Sequence, residues 1–227
     1  MSKALFITGT GTDIGKTYVA GLIVKKLTDA GKNAAYYKAA MSGNDRREDG
    51  TLIPGDALFV QQTAQISQQL EEMCPYIYEN AYSPHLASRI EGNPVQMDVV
   101  KAGYKNVCDK YDYVTMEGSG GILCPICFDE AKIQLEDVIK ELGLSSIIIA
   151  DAGLGTINCV VLTVEYMKSH ELPVKGIIFN NYHPGNVMED DNIFMCENRT
   201  GLPTLAKVKK GATQLDIDVD VLAGLYE

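Results

Sequence analysis

The sequence predicts a single α/β domain over residues 1–227, in which helices cover both faces of a mostly parallel sheet as three α/β/α layers. Two observations lead to this prediction. Short apolar runs typical of buried strands alternate with patterns typical of amphipathic helices, and such alternation produces parallel strands joined by right-handed crossovers. Several of these runs also end in glycines and polar residues, as strands do at the ligand-binding edge of an open α/β sheet.

The first strand and the first helix enclose a glycine-rich segment, Thr8 to Thr17 (TGTGTDIGKT), directly after the apolar run Ala4 to Ile7. In a phosphate-binding loop (P-loop), backbone N–H groups wrap a polyphosphate and the next helix points its positive end at it. The strict pattern fails, because Thr10 stands at the first glycine position, but the strand before and the helix after support the prediction. Lys16 would neutralise phosphate charge, and the Thr17 hydroxyl would bind Mg²⁺.

The composition, with 46% hydrophobic and 22% charged residues, is that of a globular protein. No apolar run approaches the roughly 18 residues that a membrane span requires. The net charge of −10 argues against a nucleic-acid or anionic-membrane surface, because phosphate groups would be repelled. The chain enters its first strand without the regions of a signal peptide, which predicts a cytoplasmic protein.

The six cysteines are scattered along the chain, and reduced thiols are expected for a protein without a secretory signal. Cys124 and Cys127 have a C-x-x-C spacing, which is also found in redox sites and zinc half-sites. No second pair stands at zinc-site spacing. We therefore favour two small residues that pack in a loop.

The first helix and the second strand complete a βαβ unit. Residues 16–30 are typical of an amphipathic helix that stops at Gly31, and residues 33–38 of a small apolar strand. Lys38 stands at the C-terminal end of that strand, on the sheet edge where we expect the phosphate loop to emerge. It is either a site lysine or a solvated lysine that closes the strand.

A long polar segment, residues 39–55, follows and contains Ser42-Gly43 and a charge cluster at residues 45–49. In a compact domain, a loop of this length is a substrate loop or a disordered insertion. Asp56 then directly precedes a helical pattern at residues 57–60. It either caps that helix, which is the commoner role of aspartate there, or points at a metal ion bound by the phosphates.

The middle of the chain carries weaker signals. Residues 66–82 suggest a helix that passes into an extended segment, and Pro84, after Ser83, predicts the first turn of a short helix. For His85 we favour a hydrogen-bonded structural histidine over a site residue. Residues 95–110 predict a further helix.

An acidic residue marks the end of the next strand. Residues 112–116 predict that strand, which Glu117 and the glycine-rich run Gly118 to Gly121 follow. A carboxylate at the C-terminal tip of a strand, beside glycines that let backbone amides approach a ligand, suits a metal-linked phosphate site. Together with the loop at residues 8–17, this cluster predicts an ATP site.

The second half of the chain repeats this arrangement. A helical pattern at residues 136–142 and a continuous apolar strand at residues 145–150 lead into a glycine-rich turn at residues 151–158. The helix at residues 157–169 follows, and its N-terminus is a second potential anion site.

The last clear strand is predicted at residues 174–179. It ends in Asn180-Asn181, whose amides either read a base edge or form a turn. Downstream, residues 205–208 predict a short strand and residues 219–225 a terminal helix.

The motifs together resemble those of dethiobiotin synthases, ATP-dependent enzymes of biotin synthesis, over most of the chain. The segments that carry the resemblance are Thr8-Gly9-Thr10, Gly15-Lys16-Thr17, Tyr37-Lys38, Ser42-Gly43, Asp56-Ala57-Leu58, Ser83-Pro84-His85, Glu117 to Gly121, Gly155 to Asn158 and Asn180. The combination is more specific than any one segment. The related partitioning-type ATPases carry a lysine in the loop where Gly11 stands here.

The resemblance implies a cytoplasmic ligase, a homodimer of P-loop α/β subunits that uses Mg²⁺ and ATP. It would convert 7,8-diaminononanoate and CO₂ into dethiobiotin, through a carbamate and a carbamic-phosphoric anhydride. No nucleic acid and no membrane would take part.

The resemblance also implies residue roles. Catalytic roles fall on Lys38, Lys16 and Thr12, and Mg²⁺ binding on Thr17, Asp56 and Glu117. The nucleotide would be bound by Asp13, Ile14, Gly15, Lys16, Thr17, Asp56, Glu117, Gly118, Ser119, Gly120, Asn180 and Asn181. The substrate would be bound by Thr12, Lys38, Ser42, Gly121, Gly155, Thr156, Ile157 and Asn158. The last four, from the second subunit, would receive the substrate carboxylate.

The chain departs from the family pattern at two places. Ala39 follows Lys38 where the family usually has proline, and residues 206–210 (AKVKK) replace the usual adenine-side turn. We hypothesise that the lysines of residues 206–210 contact phosphate or ribose and relax the preference for ATP.

The alternative function is that of a P-loop ATPase switch that drives a partner. Such switches commonly attach through a basic amphipathic tail, whereas residues 215–220 here (LDIDVD) are acidic.

Overall fold

The computed structural model describes residues 2–227 of the chain. The strands in this range are β1 (Lys3–Gly9), β2 (Ala34–Lys38), β3 (Ala40–Met41), β4 (Tyr76–Ile77), β5 (Tyr113–Glu117), β6 (Pro125–Phe128), β7 (Lys132–Gln134), β8 (Ser146–Asp151), β9 (Val174–Asn180) and β10 (Thr204–Lys207). The helices are α1 (Lys16–Asp29), α2 (Gly55–Ala64), α3 (Leu70–Met73), α4 (Pro84–Glu91), α5 (Met97–Cys108), α6 (Leu135–Leu142), α7 (Thr156–Ser169), α8 (Val187–Thr200) and α9 (Val219–Ala223).

Six parallel strands form the central sheet in the order β10-β9-β8-β1-β5-β2. The predicted α/β fold with a mostly parallel sheet is therefore confirmed. Strand β1 lies in the interior, and β5 separates it from the edge strand β2. Glu117 of β5 pairs in register with Ile7 of β1 and with Lys38 of β2. The ends of these three strands thus meet at one edge of the sheet, as expected for parallel strands.

Alternating side chains of the strands divide the core into two halves. In β1, Ala4 and Phe6 face one apolar cluster, and Leu5 and Ile7 face the other. All four side chains are buried because helices cover both faces of the sheet. This burial explains why the strands form continuous apolar runs rather than an alternation of apolar and polar residues.

The segment between β2 and α2 is ordered against the rest of the protein. Strand β3 pairs with β4, and Arg46 and Leu52 form an isolated bridge. The Asn44 side chain donates to the Tyr78 carbonyl, 2.8 Å, and accepts from the Gly55 amide, 2.9 Å. Of the two interpretations of this long loop, the disordered insertion is therefore wrong.

Four elements of the structure were not predicted from the sequence: helix α8, the short strand β3, and the strands β6 and β7 of an antiparallel hairpin. The N-terminus of α8 carries a recognisable signal, since the Asn186 side chain accepts from the amides of Met188 and Glu189. Its apolar stripe is thin, with Ile193 and Cys196 as its buried apolar residues. A mostly polar helix of this kind gives little hydrophobic periodicity.

Two remaining sequence interpretations are resolved by local geometry. Helix α2 begins at Gly55 after the N-cap Pro54, so Asp56 lies in the first turn and does not cap the helix. Cys127 is buried in the core, and Cys124 is partly buried beside the glycine-rich turn after β5; both thiols are free. Among the helices of the described chain, none combines the length and the apolar character that a membrane crossing requires.

Candidate active site

A cleft of about 620 Å³ opens at the sheet edge where β1, β2 and β5 end. Predicted site residues that line it are Thr12, Asp13, Gly15, Lys16, Thr17, Lys38, Ser42, Asp56, Glu117, Ser119 and Gly120. The segments that contribute them are far apart in the chain. The parallel sheet brings them together because each follows the C-terminal end of a strand or begins the next helix.

The loop between β1 and α1 has the geometry of an anion-binding turn. Gly15 has φ +86°, and helix α1 begins directly after it with no side chain capping its first amides. These amides are therefore free to donate to a phosphate group. The Lys16 ammonium folds back over the loop and donates to the Gly11 carbonyl, 2.8 Å. Burial lowers the pKa of Lys16, and the Glu117 carboxylate opposes that shift.

We predict that Gly15→Ala disrupts this loop. A methyl group at Gly15 would lie 2.1 Å from Asn180 Nδ2 on a backbone with positive φ, so we expect a loss of about 1–3 kcal/mol of stability and weaker nucleotide binding. The matched control is Gly11→Ala, because a methyl group there meets no atom within 4 Å. Thermal unfolding and ATP titration of both variants check the prediction. Equal behaviour of the two variants would show that the turn does not need glycine at residue 15.

Lys38 lies between two carboxylates at the centre of the cleft. Its ammonium donates to Asp56 Oδ2, 2.6 Å, and to Glu117 Oε1, 2.8 Å. Burial lowers the pKa of Lys38, but the charges of Glu117 and Asp56 outweigh this effect and raise it above its ordinary value. Lys38 therefore stays protonated at neutral pH, and it is not a solvated lysine, since its side chain is 7% exposed.

Three oxygen donors converge beside the phosphate loop. Thr17 Oγ1 donates to Glu117 Oε1, 2.9 Å, and lies 3.2 Å from Asp56 Oδ1. A hydroxyl and two carboxylates around one point, next to a phosphate-binding turn, are a donor set that fits Mg²⁺, which takes one or two carboxylates together with water and phosphate oxygens. Within residues 2–227, neither this site nor any other place brings together three or more His, Cys, Asp or Glu side chains that could hold a metal ion.

A tyrosine that was not predicted from the sequence lies behind this donor set. Tyr36, two residues before Lys38 in β2, donates its hydroxyl hydrogen to Glu117 Oε2, 2.9 Å. Residues two apart in a strand point to the same face. The position of Tyr36 relative to Lys38 was therefore a signal that could have found it.

Other lining residues were missed as well: Ala40, Ala81, Tyr82, Ser83, Pro84 and Cys124. Four of them, Ala81 to Pro84, come from the segment that leads into α4. The Ser42 hydroxyl donates to the Tyr82 carbonyl, 2.5 Å, and so ties the segment after β3 to this one. His85 does not line the cleft, and its Nδ1 is hydrogen-bonded to Ser83 Oγ at 2.9 Å.

The predicted base-side residues lie beyond the phosphate loop. Asn180 is buried at the end of β9, and its Nδ2 donates to the Ile14 carbonyl, 2.9 Å. Its Oδ1 is buried and has no hydrogen-bond partner within residues 2–227. Asn181 Nδ2 donates instead to Asp151 Oδ2, 2.7 Å, and forms part of a turn.

Two glycines after β5 lie against other residues of the protein. A methyl group at Gly118 would lie 2.8 Å from Leu135 Cδ2, and one at Gly121 would lie 3.4 Å from the Gly9 carbonyl oxygen.

Of the lysines at residues 206–210, Lys207 lies 3.4 Å from Asp190 and over the ring of Tyr182. Lys207 thus contacts other side chains of the protein, and the contact of these lysines with phosphate or ribose stays a prediction.

The turn at residues 155–158 does not line this cleft. Gly155 has φ +91° and precedes α7 without a side-chain cap, and Asn158 is exposed. Thr156 is buried, and its hydroxyl has no partner among the described residues.

Comparison with known proteins identifies close relatives. A family model described as an AAA domain matches residues 3–213. A protein of Brachyspira hyodysenteriae named ATP-dependent dethiobiotin synthetase BioD is 53% identical, with 95% of this chain and 96% of the relative covered. A protein of the same name from Clostridium perfringens is 47% identical, with 92% of this chain and 92% of the relative covered. One from Clostridium botulinum is 44% identical, with 100% of this chain and 99% of the relative covered.

Solved structures with a similar fold are more distant. A ParA family ATPase from Chlorobium tepidum TLS has a TM-score of 0.55 at 13% identity, covering 92% of this chain and 84% of its own. The MinC:MinD cell division protein complex of Aquifex aeolicus contains a chain with a TM-score of 0.55 at 10% identity, covering 92% of this chain and 81% of its own. At these identities the likeness extends to the fold alone.

Proposed function

Because the chain belongs to the family of ATP-dependent dethiobiotin synthetases, we propose that it is the ligase that forms dethiobiotin from 7,8-diaminononanoate, CO₂ and ATP in biotin biosynthesis. The observation that carries this function is the 53% identity to a named synthetase over 95% of the chain. The cleft supports it, because a phosphate loop, an ammonium group and a Mg²⁺ donor set face the same space.

In the proposed reaction, one amine of the substrate attacks CO₂ and loses a proton, which forms a carbamate. A carbamate oxygen then attacks the γ-phosphorus of ATP, and ADP leaves. The resulting carbamic-phosphoric anhydride is attacked at its carbonyl carbon by the second amine, and phosphate leaves as the cyclic urea forms. The phosphoryl transfer joins two anions, so it depends on positioning and on positive charge.

Different residues of the cleft would take different roles in this reaction. Lys16 would neutralise charge on the transferred phosphoryl group, while the loop amides hold the phosphate chain. Lys38 would hold the carbamate oxygen and screen its repulsion with ATP, since its ammonium group lines the same cleft as the phosphate loop. Thr17, Asp56 and Glu117 would hold Mg²⁺, which when bound would neutralise phosphate charge. Thr12 and Ser42 would contact the carbamate or the diamine.

The protein is further proposed to act in the cytoplasm as a homodimer. Helices α7 and α8 pack together. They and the turn before α7 expose Leu154, Leu162, Val187 and Phe194 to solvent, with Leu154 89% exposed. Large exposed apolar side chains on adjacent elements are typical of an interaction surface. A second subunit docked there would bring the start of α7 towards the cleft of its partner, where its free amides would receive the substrate carboxylate.

Mixed dimers test this arrangement. We expect Lys38→Ala to be inactive and Asn158→Asp to be inactive at low diamine, because the added carboxylate repels that of the substrate. If α7 acts across the interface, each mixed dimer has one site in which both residues are native. An equal mixture, in which about half of the dimers are mixed, then regains about a quarter of the wild-type activity. Mixtures without activity, or a monomer in sedimentation experiments, would contradict the shared site.

The activity itself is tested by incubating the purified protein with the diamine, bicarbonate, Mg²⁺ and ATP. Formation of dethiobiotin with release of ADP and phosphate is the expected result. ATP hydrolysis that does not need the diamine would instead indicate the ATPase switch. Absence of both reactions would also overturn the proposed function.

A further inference from the structure

We propose that Tyr36 is a positioning residue that holds the Glu117 carboxylate in the orientation required for Mg²⁺ and nucleotide binding. For its effect on turnover this inference rests on the proposed function, whereas its effect on metal-linked nucleotide binding does not. Glu117 is 1% exposed, so its carboxylate depends on the protein for every hydrogen bond that it makes in the described structure.

The two oxygens of Glu117 have different partners. Oε1 accepts from Thr17, 2.9 Å, and from Lys38, 2.8 Å, and therefore faces the cleft. Oε2 faces the protein interior and accepts from the Tyr36 hydroxyl, 2.9 Å. The hydroxyl thus holds the plane of the carboxylate, because a carboxylate twisted out of this plane would lose the bond to Tyr36.

The backbone of Tyr36 is itself held in place. Tyr36 lies on β2, the edge strand, where one side of the backbone lacks a neighbouring strand of the central sheet. The buried Gln68 side chain supplies that missing partner: its Oε1 accepts from the Tyr36 amide and its Nε2 donates to the Tyr36 carbonyl, both at 2.9 Å. The tyrosine ring is fully buried, so neither the backbone nor the ring is free to withdraw the hydroxyl.

The hydroxyl acts only as a donor in this position. An ionised carboxylate has only acceptor oxygens, so the hydroxyl hydrogen points at Glu117 Oε2. The bond orients the carboxylate and leaves its negative charge in place for a cation. Groups that hydrogen-bond a metal-ligating carboxylate from behind tune metal affinity in this way.

The test compares Tyr36→Phe with Tyr37→Phe. Both replacements remove one buried hydroxyl from neighbouring residues of β2, but the Tyr37 hydroxyl donates to the Val100 carbonyl, 2.8 Å, away from the cleft. The measured quantity is the affinity for a non-hydrolysable ATP analogue, with Mg²⁺ and with EDTA. The ratio of these affinities reports how strongly metal and nucleotide binding are coupled.

We expect Tyr36→Phe to reduce this Mg²⁺-dependent ratio about tenfold and to leave the metal-free affinity unchanged. Tyr37→Phe should change neither value, although both variants lose thermal stability. When combined with Glu117→Gln, Tyr36→Phe should cause no further loss, because it acts through that carboxylate. A wild-type ratio in Tyr36→Phe, or an equal loss in Tyr37→Phe, would overturn the proposal. A wild-type protein that shows the coupling but forms no dethiobiotin would contradict the proposed function alone.

Discussion

Lys38→Ala is expected to lower kcat/KM for dethiobiotin formation by on the order of 10³-fold. The substitution removes the ammonium group that bridges Asp56 and Glu117, and with it the charge that would meet the carbamate. Phosphoryl transfer between two anions then lacks its screening group, while the phosphate loop and Lys16 are still present. We therefore expect nucleotide binding to be retained better than turnover.

The variant also leaves a buried carboxylate without its cation. Breaking one partner of a buried pair costs about 3–5 kcal/mol, so the thermal unfolding of Lys38→Ala must be measured beside its activity. Lys38→Gln keeps hydrogen-bond donors without the charge and separates folding from catalysis. The control is Lys101→Ala, since that exposed lysine pairs with exposed Glu141 and surface pairs contribute little. A folded Lys38 variant with wild-type turnover would remove Lys38 from the mechanism.

Glu117→Gln is expected to reduce dethiobiotin formation by on the order of 100-fold or more, with a higher Mg²⁺ requirement. The amide has the shape of the carboxylate and keeps an acceptor oxygen, but it lacks the negative charge that attracts Mg²⁺. Since Glu117 also shares Lys38 with Asp56, the replacement leaves Asp56 as the one carboxylate on that ammonium.

Titration of activity against Mg²⁺ tests this prediction, and we expect high Mg²⁺ to restore part of the lost rate. Glu141→Gln is the matched control, because that glutamate is exposed and does not line the cleft. Unchanged turnover with an unchanged Mg²⁺ dependence in Glu117→Gln would contradict the assignment of Glu117 to the metal.

Much of the architecture was predictable because it depends on local sequence. Continuous apolar runs such as Ile147-Ile148-Ile149 indicated strands buried on both faces, and the helices between them required parallel pairing. Parallel pairing alone then places the ends of β1, β2 and β5 at one edge, so Lys38 and Glu117 could be expected near the phosphate loop. Helix α8 was missed because its sequence has only a thin apolar stripe.

The contacts inside the cleft could not be derived from the sequence. Lys38 and Glu117 are 79 residues apart, and Tyr36 and Glu117 are 81 apart. Their hydrogen bonds depend on strand register and on rotamers that are selected by packing across the whole core. The same packing directs Asp56 towards Lys38 rather than to the end of its own helix.

By itself, the sequence determined the α/β class, the phosphate loop and the edge of the sheet that carries the site, because hydrophobic period and glycine position act within a few residues. Only the tertiary structure decided that Lys38 bridges two carboxylates, that Tyr36 stands behind Glu117, and that the start of α7 lies outside the cleft. These features follow from long-range packing, in which each side chain takes the orientation that buries its apolar surface and satisfies its polar atoms.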